Sequence, residues 1–324
     1  MIRILEVGPR DGLQNEKVLV PTNTKLQFIE ALVGAGLHNI EVSSFVSPRW
    51  VPQLEDVAEI VEALSLEPSW HTAQGRVNFS YLVPNLRGLE RAMLLGISRI
   101  AVFTAASDVF TEKNINMSVQ QTLDLYAEMI PIFHAGLGAL SRHAKGEKIE
   151  VPAHMTGVVR AYVSTAFECP YAGRIEPALV AEVCGKLMEL GVDQISIGDT
   201  IGAATPKEVK RLTRELLPII PKPKFAYHFH DTRGTAVANV AAALEDGIEI
   251  FDSSAGGLGG CPYAPGAGGN LATEDLVYFL EREGFPTGVD PEKLAMASLP
   301  VLEILGKPPT AKAQLATLAR CGPV

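Results

Sequence analysis

The run QISIGDTIGAATPKEVKRLTRELLPIIPKPKFAYHFHDTRGTAVANVAAALEDGIEIFDSS, Gln194 to Ser254, sets the rhythm of the chain. Three short apolar segments, Gln194–Ile197, Lys224–His230 and Glu249–Ser253, read as strands. They alternate with two longer stretches, Pro206–Leu217 and Thr235–Glu245, whose apolar residues recur at helical spacing. Pro206 fits a first helical turn, and Gly247 fits a helix C-terminal cap. The unit is strand, helix, strand, helix, strand.

The same alternation extends outward. Upstream, Ile2–Val7, Asn39–Val42, Val77–Val83, Arg99–Phe103 and Val158–Val163 read as strands. Helical periodicity covers Thr24–Gly34, Leu54–Leu64, Leu86–Leu95, Ser118–Leu140 and Pro177–Leu190, with Pro177 opening the last and Gly191 closing it. Thr273–Glu283 follows the final strand. Eight strands, each followed by a helix, predict an α/β fold of the (β/α)8 TIM barrel class. A doubly wound open sheet usually has fewer strands and a topological switch point, and no glycine fingerprint follows the first strand. The barrel is expected over residues 1–290, with a C-terminal helical extension packed on it over 291–324. Ser141–Gly157 (SRHAKGEKIEVPAHMTG) breaks the rhythm and reads as an extended loop or small insertion.

Composition narrows the function classes. A chain of 324 residues with 47% apolar and 20% charged residues is ordinary for a globular enzyme. A formal charge of −9 and the lack of any basic run argue against nucleic acid as a partner. No apolar stretch is long enough to span a membrane, and the first residues, MIRILEV, lack the pattern of a signal peptide. A cytoplasmic location is expected. Cys169, Cys184, Cys261 and Cys321 lie far apart without a CxxC pair, as free thiols do.

In a barrel, reacting groups sit at the C-terminal ends of strands. The first strand ends in Gly8-Pro9-Arg10-Asp11-Gly12-Leu13-Gln14-Asn15-Glu16. There Asp11 could bind a hard divalent cation and Arg10 could stabilise a developing oxyanion, although a surface turn with a salt bridge reads the same way. The seventh strand ends His228-Phe229-His230-Asp231-Thr232. Histidines two apart on a strand project from one face, a spacing suited to two imidazole ligands on one metal; two hydrogen-bonded interior histidines are the plainer alternative. After the eighth strand, seven glycines fall in the fifteen residues Gly256 to Asn270, with Cys261 in their midst. Gly257, Gly259 and Gly260 give this loop freedom to move, and an electropositive mouth would suit a reactive thiol. Asn270 reads as a further oxygen ligand or as a cap for the next helix. Glu41 ends the second strand and Asp199 follows the sixth; either could orient a ligand or tune an acid–base group.

These stretches resemble hydroxymethylglutaryl-CoA lyases, within a barrel superfamily that includes isopropylmalate synthases. The likeness rests on Gly8-Pro-Arg-Asp-Gly-Leu-Gln-Asn-Glu16, Ser44-Phe-Val-Ser-Pro48, His228-Phe-His230-Asp-Thr232 and Gly257-Leu-Gly-Gly-Cys-Pro-Tyr263, and runs to Asn270-Leu-Ala-Thr-Glu-Asp-Leu-Val277. The resemblance implies a carbon–carbon lyase that cleaves 3-hydroxy-3-methylglutaryl-CoA to acetyl-CoA and acetoacetate. It implies Mg2+ or Mn2+ on Asp11, His228, His230 and Asn270, and an enolate stabilised by Arg10. It further implies Cys261 as a mobile-loop acid–base, Glu41, Asp199 and His228 among the catalytic groups, and Arg10, Gln14 and Ser44 against substrate. An acyl-CoA substrate and a homodimer are expected on the same ground. Two departures stand out: Ser141–Gly157 is longer than the family suggests, and Phe229 stands where a smaller residue is expected, its side chain directed away from the mouth. The alternatives are a lyase for a longer branched 3-hydroxyacyl-CoA, an aldol-type synthase joining acetyl-CoA to a keto acid, and a non-catalytic binding module. The Gly-Gly-Cys-Pro-Tyr loop weighs against the synthase.

Overall fold

Eight parallel strands close on themselves in the order β1-β10-β9-β8-β5-β4-β3-β2, β2 pairing back to β1. The computed structural model describes residues 2–66, 77–136, 157–259 and 269–321, with 138, 139 and 143 besides. The barrel strands are β1 (Arg3–Glu6), β2 (Asn39–Ser44), β3 (Asn78–Leu82), β4 (Arg99–Ala105), β5 (Val158–Ser164), β8 (Gln194–Asp199), β9 (Phe225–Phe229) and β10 (Ile250–Ser253). Each overlaps a segment expected from the sequence. A two-stranded antiparallel hairpin, β6 (Glu168–Cys169) and β7 (Gly173–Arg174), follows the fifth barrel strand, and a short helix, Asp108–Ile115, follows the fourth. Neither carries enough periodic apolar sequence to be read in advance.

Strand parity sorts side chains into two layers. On β9, Phe225, Tyr227 and Phe229 face the helices: the Tyr227 and Phe229 rings stack at 4.8 Å, and Tyr227 Oη lies 2.8 Å from Thr213 Oγ1 on the helix Pro206–Leu216. Phe229 thus points away from the mouth, as expected. Burying each such phenylalanine contributes roughly 1.5–3 kcal/mol. The even-numbered residues of this strand end, His228 and His230, are left for the interior.

Helix ends follow the punctuation. Pro177 and Pro206 open their helices, and Gly191 (φ 86) and Gly247 (φ 81) take the left-handed conformation just beyond two helix ends. Thr205 and Glu208 form a capping box at Pro206. Beyond residue 290, helices Pro291–Ala297 and Leu299–Leu305 pack against Thr22–Gly34, and Lys312–Cys321 packs against Pro291–Ala297. Gln314 Nε2 donates to Ala295 O and Ser298 Oγ, both at 2.8 Å. Among the described residues, no helix is long and apolar enough to cross a membrane.

Candidate metal centre and active site

Arg10 and Asp11 leave β1 in a single wide turn, Gly8–Gly12, in which the N–H groups of Arg10, Asp11 and Gly12 all converge on Val7 O. Such one-turn π segments are uncommon and concentrate at functional sites. The turn holds both side chains over the C-terminal end of the barrel. Gly12 permits it: an added Cβ would stand 2.9 Å from both Leu258 Cβ and Ser254 Oγ.

Arg10 is buried among acceptors. Its Nε donates to Glu41, its Nη1 to Asp11 Oδ1 at 2.8 Å and to Gln14 Oε1 at 3.2 Å, and its guanidinium lies over the Tyr162 ring at 5.5 Å. Burial opposes its charge, but Glu41 and Asp11 outweigh burial and raise its pKa, so it stays a cation. Glu41, fully buried on β2, takes a second bond from Tyr162 Oη at 2.9 Å.

Asp11, His228 and His230 form a three-residue group whose candidate donor atoms lie within 4.8 Å of one another. The two imidazole Nε2 atoms are 3.2 Å apart, and His228 Nε2 is 3.9 Å from Asp11 Oδ2. Burial pushes the Asp11 carboxyl up, but Arg10 and the two histidines outweigh it and hold it down at about 2. Burial, with His228 beside it, lowers His230 to about 3, which leaves it a neutral imidazole with a lone pair to donate. Asn270 joins the group. Its Nδ2 donates to Asp11 Oδ2 at 2.9 Å and to Leu258 O at 3.1 Å, while its Oδ1 is buried without a partner among the described residues. The next helix begins at Thr273 behind Ala272, so Asn270 does not cap it.

This donor set fits a hard divalent cation: one anionic carboxylate, two imidazole nitrogens converging on a point, and an orphaned amide oxygen. A buried polar atom with no partner is costly, and a cation between these groups would satisfy it. Gly259 (φ 106) lets the loop backbone approach, because an added Cβ would lie 2.6 Å from Asn270 Nδ2. Gly257 is also left-handed (φ 63).

Other expected residues are placed differently. Ser44 is fully buried, its hydroxyl donating to Leu82 O and accepting from Val46 N, both at 3.1 Å, so the backbone engages it in both roles. Asp199 binds the N–H groups of Ala203 (2.8 Å) and Ala204 (3.0 Å), closing its own loop, and burial pushes it up to about 6. Cys261 and Gly260 lie outside the described residues, as does nearly all of Ser141–Gly157. Sequence reading missed Tyr162, Arg160, Ser196 and Asp252, which line the interior. The alternation of β5, β8 and β10 marks these positions as inward-facing, but nothing local says which of them meet.

Behind the mouth, Glu6 and Glu274 are buried together. Glu6 accepts from Gly8 N (2.7 Å), Ala255 N (3.0 Å) and Thr273 Oγ1 (2.6 Å); Glu274 accepts from Gly256 N at 2.9 Å. Burial pushes Glu6 up to about 7 and Glu274 up to about 8. The folded chain therefore keeps a proton on Glu274 above the pH at which the unfolded chain loses it. That contribution to stability is fully present below about 4.5 and is lost as pH rises towards 8. The expected loss is up to about 1.4 kcal/mol per pH unit. Thermal unfolding of Glu274→Gln should show a flatter decline in Tm between pH 5 and 8 than wild type; parallel curves would refute it.

Fold and mouth together define a class: (β/α)8 barrel enzymes with a candidate divalent-metal centre at the strand ends. Comparison with known proteins makes this particular. The HMGL-like family model matches residues 1–301, and the chain belongs to that family. It is 44% identical to the mitochondrial hydroxymethylglutaryl-CoA lyase of Bos taurus over 317 residues, 98% of this chain and 89% of that protein. It is 45% identical to the cytoplasmic 3-hydroxy-3-methylglutaryl-CoA lyase of Rattus norvegicus over 296 residues, 91% of this chain and 79% of that protein. The crystal structure of hydroxymethylglutaryl-CoA lyase from Pseudomonas aeruginosa superposes with a TM-score of 0.86 at 40% identity, covering 98% of both chains.

Proposed function

We propose that this chain cleaves 3-hydroxy-3-methylglutaryl-CoA to acetyl-CoA and acetoacetate, using the Arg10, Asp11, His228, His230 and Asn270 cluster at the barrel mouth. The observation that carries the reading is the convergence of the Asp11 carboxylate and two imidazoles beside a buried guanidinium. Family membership over nearly the whole chain supports the substrate.

In the reaction the tertiary hydroxyl gives up its proton and its oxygen becomes the ketone of acetoacetate. The adjacent carbon–carbon bond breaks, its electrons pass onto the thioester as an enolate, and a proton then reaches the former bond carbon. Mg2+ or Mn2+, when bound by Asp11, His228, His230 and Asn270, supplies Lewis acidity toward the hydroxyl oxygen. Arg10 offers a fixed positive charge to the enolate oxygen, oriented by Glu41 and Gln14 before substrate arrives, so little reorganisation is needed. Glu41 is itself held by Tyr162. Cys261 is the proposed proton donor to the enolate carbon.

The decisive assay is acetyl-CoA release from 3-hydroxy-3-methylglutaryl-CoA after EDTA treatment, then with added Mg2+ or Mn2+. Wild type should be inactive after chelation and recover with either ion. Cys261→Ala should lose about 10²–10⁴ in kcat, the range for a positioned acid–base group. A metal-replete wild type that cleaves no 3-hydroxy-3-methylglutaryl-CoA refutes the substrate; a longer branched 3-hydroxyacyl-CoA is the next one to offer.

A further inference from the structure

We infer that Asp252 is a positioning residue for the metal centre: it fixes the ring of His228 so that Nε2, not Nδ1, faces the Asp11–His230 cluster. The inference rests on the metal-site reading above and assigns a part to a buried carboxylate that the proposed chemistry does not use.

Register carries the first step. Asp252 on β10 is the direct ladder partner of His228 on β9, so both side chains enter the interior at one level. Asp252 is 1% exposed. Its Oδ2 stands 3.4 Å from His228 Nδ1, which is buried and makes no hydrogen bond among the described residues. That separation is slightly longer than an ordinary N–H···O bond, and a shift of a few tenths of an ångström closes it. A proton on Nδ1, given to Asp252, leaves the Nε2 lone pair free at the mouth, 3.2 Å from His230 Nε2.

The carboxylate is itself held. Ser196 Oγ on β8 donates to Oδ2 at 2.7 Å, and Arg160 on β5 donates Nη2 to Oδ1. Arg160 also donates to Gln194, its own ladder partner on β8. The chain of contacts crosses four neighbouring strands, β10, β9, β8 and β5. Arg160 neutralises the buried charge, and Ser196 aims the one oxygen that faces His228. Tyr162 closes the other side, its ring edge-on to His228 at 6.2 Å and 81°. His230 Nδ1 is likewise buried without a hydrogen bond among the described residues, so the two rings differ in the carboxylate that faces His228 Nδ1. Outer partners of this kind set the tautomer and the direction of a ligating imidazole.

A merely structural reading makes Arg160–Asp252 an ion pair that fills the barrel, and metal affinity separates the two. Mn2+ binding would be measured by electron paramagnetic resonance on wild type, Asp252→Asn, Ser196→Ala and the double variant Arg160→Leu/Asp252→Asn, with thermal unfolding alongside. Asp252→Asn should bind Mn2+ about 10- to 100-fold more weakly. The double variant, which removes the stranded guanidinium, should recover stability while remaining weak for Mn2+. Ser196→Ala should weaken binding by about threefold or more and carries the test if Asp252→Asn does not fold. Wild-type Mn2+ affinity in a folded Asp252→Asn or in the double variant overturns the assignment, as does unchanged affinity in Ser196→Ala. Absence of Mn2+ binding by wild type itself would instead remove the metal-site reading, and this inference with it.

Discussion

Arg10→Gln is expected to leave a folded, metal-binding protein whose kcat for 3-hydroxy-3-methylglutaryl-CoA falls by at least about 10²–10³, the usual loss when one preorganised oxyanion donor is removed. The expectation follows from how Arg10 is held. Three side-chain acceptors, on Glu41, Asp11 and Gln14, already orient the guanidinium, and the Tyr162 ring lies beneath it. Charge that develops on the thioester oxygen meets a cation that need not move. Glutamine can still donate to Glu41 but carries no charge, so the effect should fall on kcat and spare KM. Removing one partner of a buried ion pair costs about 3–5 kcal/mol, so Tm will drop as well. Arg10→Lys separates the effects: it keeps the charge but loses the planar fork, and should recover part of the stability and little of the rate. A kcat within tenfold of wild type in Arg10→Gln would refute the enolate role.

The fold was legible because a parallel barrel repeats one unit eight times, and each unit carries its own punctuation. Pro206 and Gly247 mark helix ends for local reasons, and the structure places them there. The mouth was legible for a related reason: strand parity alone sends His228 and His230 to one face, with Phe229 to the other. Interior pairs across strands were not legible. Asp252 meets His228 because β10 and β9 align in one register, and Arg160 reaches Asp252 across the barrel from β5. Those contacts depend on closure, which no local window contains. Asp199 and Ser44 show the converse. Both sit at strand ends, where functional groups gather, yet hydrogen bonds to nearby backbone engage them. Position at a strand end selects candidates; only the partners decide among them. The left-handed backbone of Thr165 (φ 53), a rare state for a β-branched residue, also has no sequence signal: it depends on Thr165 N reaching Thr200 Oγ1 across to the next barrel strand's end, at 2.7 Å.

Asp11→Asn should separate metal binding from oxyanion stabilisation at this mouth. In wild type the carboxylate persists despite burial because Arg10, His228 and His230 hold its pKa near 2. It therefore stays charged well below neutral pH. Any weakening of Mn2+ binding on acidification must then come from the imidazoles, which bind only when neutral. Asparagine preserves the shape but removes the anionic ligand, and the loss in Mn2+ affinity is expected to reach about 100-fold or more. Activity should fall with it and return in part at high Mn2+, because Arg10 keeps its contact with Glu41. Arg10→Gln should do the reverse, with metal affinity near wild type and a rate that added Mn2+ does not restore. If Asp11→Asn bound Mn2+ as tightly as wild type, the cation would have to sit elsewhere, and the orphaned Asn270 Oδ1 would need another explanation. If instead both variants lost metal together, Arg10 would be acting through Asp11, to whose Oδ1 it donates at 2.8 Å, and not on the enolate directly.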